Sequence, residues 1–266
     1  MTDSVRAVAF DLDDTLAVSK SRIDDRMADL LARLIRATDV CIISGGRFEQ
    51  FQNQVLMHLT AEPDALASLH LMPTCGTRYY RWVDEEWQLI YAEDLAEQDK
   101  RRIVRVLEQG ARDLGLWEEQ AWGERIEDRG SQITFSALGQ QAPPDEKYQW
   151  DPDNQKKQRL RAYAAERLPD LEVRVGGSTS VDVTRKGIDK AYGMYKLMDQ
   201  LGLAADEILF VGDRLEPGGN DYPVRAVGVR CVEVTCWQDT ADYIERLLAA
   251  AEEIGERPRL EVPPRS

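Results

Sequence analysis

The chain has 266 residues, 43% of them hydrophobic and 8% aromatic, so it can bury a full core in one large domain or two modest ones. Its 34 Lys and Arg residues stand against 48 Asp and Glu residues, and a net charge of −14 without a Lys/Arg run argues against nucleic acid or an anionic membrane as a partner. The chain has neither a signal-like amino terminus nor the ~18 consecutive apolar residues that span a bilayer, so we expect a cytoplasmic globular protein.

The first part of the chain alternates between buried strands and amphipathic helices. The apolar run at residues 5–10 predicts a central parallel strand, and residues 24–39 have apolar side chains at helical spacing. Residues 39–47 then predict a second strand that ends in a glycine turn, and residues 48–59 predict a second helix. This order is typical of a β-α-β-α unit with a parallel sheet.

The same pattern returns near the carboxyl terminus, after a middle region of different character. Residues 187–202 predict a helix, residues 207–213 a buried strand, and residues 226–235 one or two further strands. Between residues 87 and 185 the sequence instead predicts two long helices and several mostly adjacent strands. Such a mixture is typical of an α+β module.

We therefore predict an α/β fold with a Rossmann-like parallel-sheet core that two separate segments of the chain build together. The core is expected from residues 1–86 and 186–254, and an inserted α+β domain from residues 87–185. The polar, Pro-rich segment at residues 255–266 predicts a flexible tail.

Polar side chains follow three of the predicted core strands at the point where each strand ends. Asp11 and Asp13 follow the first strand, Ser44 follows the second, and Asp213 follows a late one. In a doubly wound sheet, ligands bind beyond the carboxyl ends of the strands. Carboxylates repel one another at short range, so their convergence indicates a cation, and an all-oxygen site is the type that holds Mg²⁺.

Four segments carry a resemblance to a known family. DLDDT at residues 11–15, IISGGR at 42–47, RKGIDK at 185–190 and GDRLEPGGND at 212–221 resemble the four ordered motifs of the haloacid dehalogenase (HAD) superfamily of phosphotransferases. The insertion between the second and third motifs resembles the type IIB, or Cof-like, cap of that superfamily. The long PGGND form, together with GGSTSVD at residues 176–182, resembles the eukaryotic-type phosphomannomutases.

The chemistry of phosphate transfer gives each polar residue at the first two strand ends a role. Asp11, the first carboxylate after the strand, is the candidate nucleophile that attacks phosphorus. Asp13 faces the leaving-group oxygen and serves as general acid and then as general base. Thr15 and Ser44 offer hydroxyl donors, and the turn at Gly45 offers backbone N–H groups, to the phosphoryl oxygens.

The phosphate dianion can approach these carboxylates only if cations offset their charge. Lys190 is expected to neutralise charge beside Asp11, and Asp213 is expected to bind Mg²⁺ together with Asp11. The resemblance implies that the backbone carbonyl of Asp13 is a further ligand, and Asp221 would complete or orient the metal shell.

Some of these assignments keep an alternative. Lys186 could be the lysine of the third motif in place of Lys190, and Thr15 could simply cap the local turn. Asp14 stands where the family has Gly, so we interpret it as a turn residue.

The inserted domain is expected to determine substrate specificity, and in this region the sequence departs from the mutase pattern. The resemblance implies arginines around the distal phosphate of a hexose phosphate, but Gln140 and Lys20 stand at two of their places. Arg129, Ser180 and Asp182 match plausible phosphosugar contacts. Glutamine cannot replace a bidentate guanidinium, and a mutase must rebind a bisphosphate intermediate whereas a phosphatase need not.

The sequence therefore predicts a Mg²⁺-dependent phosphatase that hydrolyses a sugar phosphate through an aspartyl-phosphate intermediate, as a monomer or homodimer. A phosphomannomutase that interconverts hexose 1- and 6-phosphates is the alternative. A non-catalytic phosphosugar-binding protein is a remote third possibility. The only partner expected is the small-molecule phosphate ester.

Overall fold

The computed structural model describes residues 4–176, 178–252 and 260–261, and the chain divides into two compact units. The core unit comprises Met1–Tyr91 and Asp189–Ser266, and the inserted unit comprises Ala92–Ile188. The predicted flexible tail lies outside the described residues except for residues 260–261.

Both domain boundaries lie a few residues later in the structure than the sequence predicts. The strand Glu86–Ala92 belongs to the core sheet, so the inserted unit begins later than residue 87. At the other end, Arg174 donates a hydrogen bond of 2.8 Å from Nη1 to the carbonyl of Ile188, and this contact ties residues 186–188 to the inserted unit.

The elements that precede the inserted unit build most of the core. They are β1 (Ser4–Val5), β2 (Ala7–Phe10), α1 (Asp25–Ala37), β3 (Asp39–Ile43), α2 (Phe48–Phe51), α3 (Pro63–Leu66), β4 (Leu69–Met72), the single turn α4 (Pro73–Gly76), β5 (Arg78–Val83) and β6 (Glu86–Ala92). The helix predicted over residues 48–59 ends at Leu56, and its second part, Gln52–Leu56, is a π-helical turn that continues α2.

The inserted unit is an antiparallel sheet with helices packed on its apolar side. Its elements are α5 (Glu97–Asp113), β7 (Ile126–Asp128), β8 (Gln132–Ser136), α6 (Pro144–Trp150), α7 (Gln155–Arg167), β9 (Leu171–Val175) and β10 (Ser180–Arg185). The strand order is β7-β8-β10-β9, and every pair is antiparallel. Apolar residues from α5, α7 and the sheet form one core cluster.

The chain then returns to complete the core sheet. The last elements are α8 (Lys190–Leu201), β11 (Ile208–Gly212), α9 (Tyr222–Arg225), β12 (Arg230–Glu233), α10 (Trp237–Glu252) and β13 (Leu260–Glu261). The seven-stranded order is β12-β11-β2-β3-β4-β5-β6. The strands from β12 to β4 are parallel, β5 is antiparallel to β4, and β1 pairs with β13 separately.

Both faces of the parallel strands are buried, as expected for a sheet with helices on each side. In β2, Val8 and Phe10 pack into one apolar cluster, whereas Ala7 and Ala9 pack into another on the opposite face. The predicted α/β class is therefore confirmed. Among the described residues, no helix combines the length and the apolar composition needed to cross a bilayer.

Candidate active site

Three adjacent parallel strands bring the polar residues that follow them to one edge of the core sheet. The order β11-β2-β3 is continuous, and the N–H of Asp11 still donates to the carbonyl of Val211 at 3.0 Å just beyond the end of β2. Ser44 follows β3 and Asp213 follows β11. Parallel strands end at the same edge, so the side chains predicted from separate motifs lie together there.

A buried lysine lies between two buried carboxylates at this edge. Lys190 Nζ is 2.5 Å from Asp11 Oδ1 and 2.5 Å from Asp221 Oδ1. Exposure is 2% for Lys190, 4% for Asp11 and 0% for Asp221. Carboxylate oxygens of Asp11, Asp213 and Asp221 also lie within 4.8 Å of one another. Three carboxylates against one ammonium leave a formal charge of −2, which a divalent cation would neutralise.

The protonation of this cluster follows from its burial. Burial raises the pKa of Asp11 to about 8; the charge of Asp221 adds to the rise, and that of Lys190 opposes it. Burial and Asp221 also raise the pKa of Asp213. Burial alone would lower the pKa of Lys190, but Asp11 and Asp221 outweigh it and raise the value. Lys190 therefore keeps its proton, while the carboxylates compete for a further positive charge.

The structure distinguishes between the two candidate lysines. Lys186 is exposed and belongs to the inserted unit, whereas Lys190 begins α8 in the core unit. The helix can approach the site because Gly193 has no side chain. A Cβ atom there would lie 2.2 Å from Ile43 Cδ1 and 2.8 Å from the carbonyl oxygen of Cys75. Lys190 is thus the lysine of the cluster.

The loop that carries Ser44 is held by the left-handed turn that follows β4. Cys75 N–H donates to the carbonyl of Ser44 at 2.9 Å, and Thr74 N–H donates to that of Gly46 at 2.9 Å. Thr74 and Cys75 have positive φ values of 50° and 55°, which are unusual for residues other than glycine. These bonds fix the Ser44–Gly45–Gly46 turn. Ser44 Oγ also accepts from Gly46 N–H at 3.2 Å.

Asp13 lies apart from the three-carboxylate cluster. Its Oδ1 accepts from the backbone N–H of Lys20 at 2.7 Å and from Gln54 Nε2 at 3.2 Å, and its Oδ2 accepts from Gln50 Nε2 at 2.9 Å. The Lys20 side chain is exposed, whereas its backbone N–H contacts Asp13. Sequence reasoning missed both glutamines, although their spacing of four residues places them on one helical face.

The two residues that follow Asp13 differ in burial and in hydrogen-bond partner. Thr15 is fully buried, and its Oγ1 donates to Asp213 Oδ1 at 3.3 Å, so its described partner is a carboxylate of the cluster. Asp14 is exposed and has a φ of 61°, a left-handed conformation that glycine adopts without strain. Its Oδ1 accepts from Ser19 N–H at 3.0 Å, which agrees with its interpretation as a turn residue.

The inserted unit has a polar sheet face that carries Ser180 and Asp182. Thr134 pairs with Asp182 across β8 and β10, and its Oγ1 donates to Asp182 Oδ1 at 2.7 Å. Gln132 Nε2 donates to Thr134 Oγ1 at 2.8 Å. Ser180 lies two residues before Asp182 on the same strand, so both side chains point to this face. The alternation of polar residues along β8 is the sequence signal for this face.

Arg129 and Gln140, the other predicted substrate contacts of the inserted unit, differ in the partners of their side chains. Arg129 Nε lies 2.6 Å from Glu127 Oε2, and both side chains are largely buried. Gln140 follows the β8 turn, and its carbonyl accepts from Lys147 Nζ at 3.0 Å. The Nε2 atom of Gln140 is buried without a hydrogen-bond partner among the described residues.

Comparison with known proteins gives consistent matches. A profile of a family described as haloacid dehalogenase-like hydrolase matches residues 8–223. A protein of Caenorhabditis elegans named "Probable phosphomannomutase" is 26% identical over 91% of this chain and 94% of its own length. The phosphomannomutase of Saccharomyces cerevisiae is 25% identical over 82% of this chain and 84% of its own.

Solved structures share the fold at lower identity. The IMP-nucleotidase of Plasmodium falciparum superposes with a TM-score of 0.71 at 15% identity, covering 98% of this chain and 72% of that one. A haloacid dehalogenase-like hydrolase from Bacteroides thetaiotaomicron gives 0.61 at 17% identity, covering 91% of this chain and 99% of that one.

Proposed function

The chain belongs to the haloacid dehalogenase-like hydrolase family and is a phosphohydrolase or phosphotransferase, and within this class we propose that it is a Mg²⁺-dependent phosphatase of sugar phosphates. The observation that carries the proposal is the buried Lys190 between Asp11 and Asp221, with Asp213 beside them at the carboxyl edge of the sheet. This arrangement provides a carboxylate nucleophile, a fixed positive charge and, in Asp213, a second carboxylate for a cation.

The proposed reaction has two steps, and Asp11 is covalently modified between them. In the first step, an Asp11 carboxylate oxygen bonds to phosphorus, the ester bond breaks, and Asp13 gives its proton to the departing sugar oxygen. In the second step, Asp13 takes a proton from water, the water oxygen bonds to phosphorus, and the bond to Asp11 breaks. Inorganic phosphate leaves, and Asp11 is restored.

We propose that Asp11 and Asp213 hold the Mg²⁺ ion, with the Asp13 backbone carbonyl as a further ligand. All of these donors are oxygens, as Mg²⁺ prefers. When bound, the ion supplies the positive charge that lets the phosphate dianion approach the carboxylates. Asp221 has a different role, because its two oxygens accept from Lys190 Nζ and, at 3.1 Å, from Arg214 N–H. It orients the lysine.

Ser44 and the Gly45 turn would bind the oxygens of the transferred phosphoryl group, and Lys190 would offset the charge that develops on them. Thr15 would orient Asp213, because its hydroxyl donates its single proton to that carboxylate. We propose that Lys20, Arg129, Gln140, Ser180 and Asp182 contact the rest of the substrate.

The polar face of the inserted unit supports hydrolysis over mutase action. Arg129 is paired with Glu127, and Asp182 adds a second carboxylate to the same face. Such a face suits the hydroxyl groups of a sugar better than a second phosphate, which requires unmatched positive charge. Gln140 offers an amide where the mutase pattern has an arginine. The phosphomannomutase alternative is favoured by the relatives of that name.

A coupled assay separates the two activities. Mannose 1-phosphate is supplied with and without glucose 1,6-bisphosphate, and both inorganic phosphate and mannose 6-phosphate are followed. We expect phosphate release to exceed isomerisation in both conditions. Efficient isomerisation that depends on the bisphosphate, with little phosphate released, would establish the mutase instead.

The absence of both activities across a panel of sugar phosphates would favour the third possibility, a non-catalytic phosphosugar-binding protein. A cytoplasmic location and a monomeric or homodimeric state stay predictions from the sequence.

A further inference from the structure

The carboxylate of Asp13 is held in one orientation by three uncharged donors. The Lys20 N–H and Gln54 Nε2 contact Oδ1, and Gln50 Nε2 contacts Oδ2. Both carboxylate oxygens are therefore engaged, so the side chain cannot rotate about its terminal bond without breaking at least one hydrogen bond. The two glutamines come from a segment about forty residues away in sequence, so no local turn requires these contacts.

A change of helical form occurs within the segment that carries the two glutamines. Gln50 lies in α2, and Gln54 lies in the π-helical turn Gln52–Leu56 that continues it. A π-turn widens the helix and is found mostly as a single turn, frequently at functional sites. Here the two amides, four residues apart, reach the two different oxygens of one carboxylate.

Gln54 makes these contacts at a cost to folding. It is 3% exposed, and its Nε2 donates both to Asp13 Oδ1 and to the carbonyl of Ser21 at 2.8 Å. Its Oε1 is buried without a partner among the described residues. Reversing the amide would place Oε1 against two acceptors, so the orientation is fixed by the donors it supplies. A buried oxygen without a hydrogen bond is unfavourable, and an apolar side chain of similar shape would avoid it.

Gln50 is positioned by the phosphate-binding turn predicted at Ser44–Gly46. A Cβ atom at Gly46 would lie 2.0 Å from Gln50 Oε1, so the amide of Gln50 occupies the space that any larger residue would fill. The absence of a side chain at Gly46 thus allows the amide to reach Asp13. The turn and the general acid are connected through one side chain.

We propose that Gln50 and Gln54 are positioning residues that aim the Asp13 carboxylate at the leaving-group oxygen. This inference rests on the proposed function, because it needs Asp13 to protonate the departing alcohol. The amide groups of the glutamines donate to Asp13 and, from Gln54, to the carbonyl of Ser21, and none of these described hydrogen bonds involves Asp11. The two glutamines act through Asp13, by holding it where a proton can pass to the sugar oxygen in the first step.

The test compares two leaving groups in single turnovers with enzyme in excess. A sugar alkoxide departs only with a proton, whereas 4-nitrophenolate departs without one. In Gln54→Met and Gln50→Met, we expect the release of mannose from mannose 1-phosphate to slow at least about tenfold, a part of the hundredfold or more that general acid catalysis contributes. The release of 4-nitrophenolate from 4-nitrophenyl phosphate should stay within about twofold of wild type.

Gln52→Met is the matched control, because Gln52 lies between the two glutamines and makes no hydrogen bond to Asp13. It should leave both rates unchanged. Gln50 is only half-buried, so Gln50→Met provides a second variant if Gln54→Met fails to fold.

The outcomes separate the inference from the function on which it rests. Equal slowing with both substrates, or no slowing with either, would overturn the positioning role while wild type remains a phosphatase. A wild type that cleaves neither of these esters nor any member of the sugar-phosphate panel would refute the proposed function itself. Loss of only the mannose 1-phosphate rate, in both variants and not in the control, is the result that supports the inference.

Discussion

The carboxylates of the core unit and those of the inserted unit are balanced by different partners. In the core unit, the buried Asp11 and Asp221 share the ammonium of Lys190, and with the half-buried Asp213 beside them the cluster has a formal charge of −2. In the inserted unit, Glu127 pairs with Arg129, and Asp182 accepts from a neutral hydroxyl. The first arrangement needs a cation to neutralise its charge and suits phosphoryl transfer. In the second, both carboxylates already have partners, so it suits the recognition of neutral hydroxyl groups.

The largest effect should come from the nucleophile. Asp11→Asn replaces the attacking oxygen with an amide, so we expect turnover to fall by at least about 10⁴-fold, as removal of a nucleophile does elsewhere. Phosphate release and circular dichroism measured on the same sample check this prediction. A folded variant with appreciable activity would exclude Asp11 as the nucleophile.

Removal of divalent cations should also abolish turnover. EDTA leaves the phosphate facing the uncompensated carboxylates of Asp11 and Asp213, and added Mg²⁺ should restore the rate. Zn²⁺ should restore it poorly, because no His or Cys belongs to the described cluster. Undiminished turnover in the chelator would contradict the metal assignment. An inserted-unit variant, Asp182→Asn, should keep the same Mg²⁺ dependence as wild type.

Gln140→Arg tests the proposal that missing positive charge favours hydrolysis over mutase action. A charge-assisted contact contributes roughly 1.5 to 3 kcal/mol, so we expect affinity for glucose 1,6-bisphosphate to rise about ten- to a hundredfold. Equilibrium binding in Mg²⁺ measures it, with Gln140→Met as the uncharged control. Unchanged affinity would show that Gln140 does not contact the second phosphate.

A smaller effect, on binding alone, is expected at the polar sheet face of the inserted unit. Thr134→Val removes the hydroxyl that joins Gln132 to Asp182, and we expect KM for the sugar phosphate to rise about fivefold with kcat nearly unchanged, about 1 kcal/mol for one hydrogen bond. Steady-state kinetics separate the two constants. A loss confined to kcat would place Thr134 in the chemistry rather than in recognition.

The last effect concerns the stability of the metal-free protein rather than its activity. Burial raises the pKa of Asp11 from 3.8 to about 8, so the folded state holds a proton that the unfolded state releases. The stability of wild type should therefore fall as pH rises from about 4 to about 8. Asp11→Asn lacks this slope, so its melting temperature relative to wild type should increase across that window. Parallel melting curves in EDTA would contradict the raised pKa.

The fold of the core was predictable because its strands are continuous apolar runs followed by polar residues. Most of β6 was assigned to the inserted unit rather than to the core, because the turn before it, at Asp84 and Glu85, has positive φ at both residues without the Gly or Asn that marks hairpin turns. The predicted boundary of the inserted unit is therefore earlier than the boundary in the structure.

The candidate site divides in a similar way. Asp11, Lys190, Asp213 and Asp221 belong to motifs, and the structure brings their side chains together. Gln50 and Gln54 belong to no motif, and their contacts with Asp13 arise only when the chain folds across about forty residues. The ion pair of Arg129 with Glu127 also depends on the conformation of the chain at the end of β7, which composition does not reveal.

The central claim is that Asp11 carries the phosphoryl group, and chemical trapping tests it most directly. Enzyme mixed with Mg²⁺ and mannose 1-phosphate is quenched in acid during turnover and treated with borohydride, which reduces an acyl phosphate to an alcohol. Peptide mass spectrometry then finds the modified position. We expect homoserine at position 11 and an unmodified Asp13. Homoserine at position 13, or at no aspartate while phosphate is being released, would contradict the central claim.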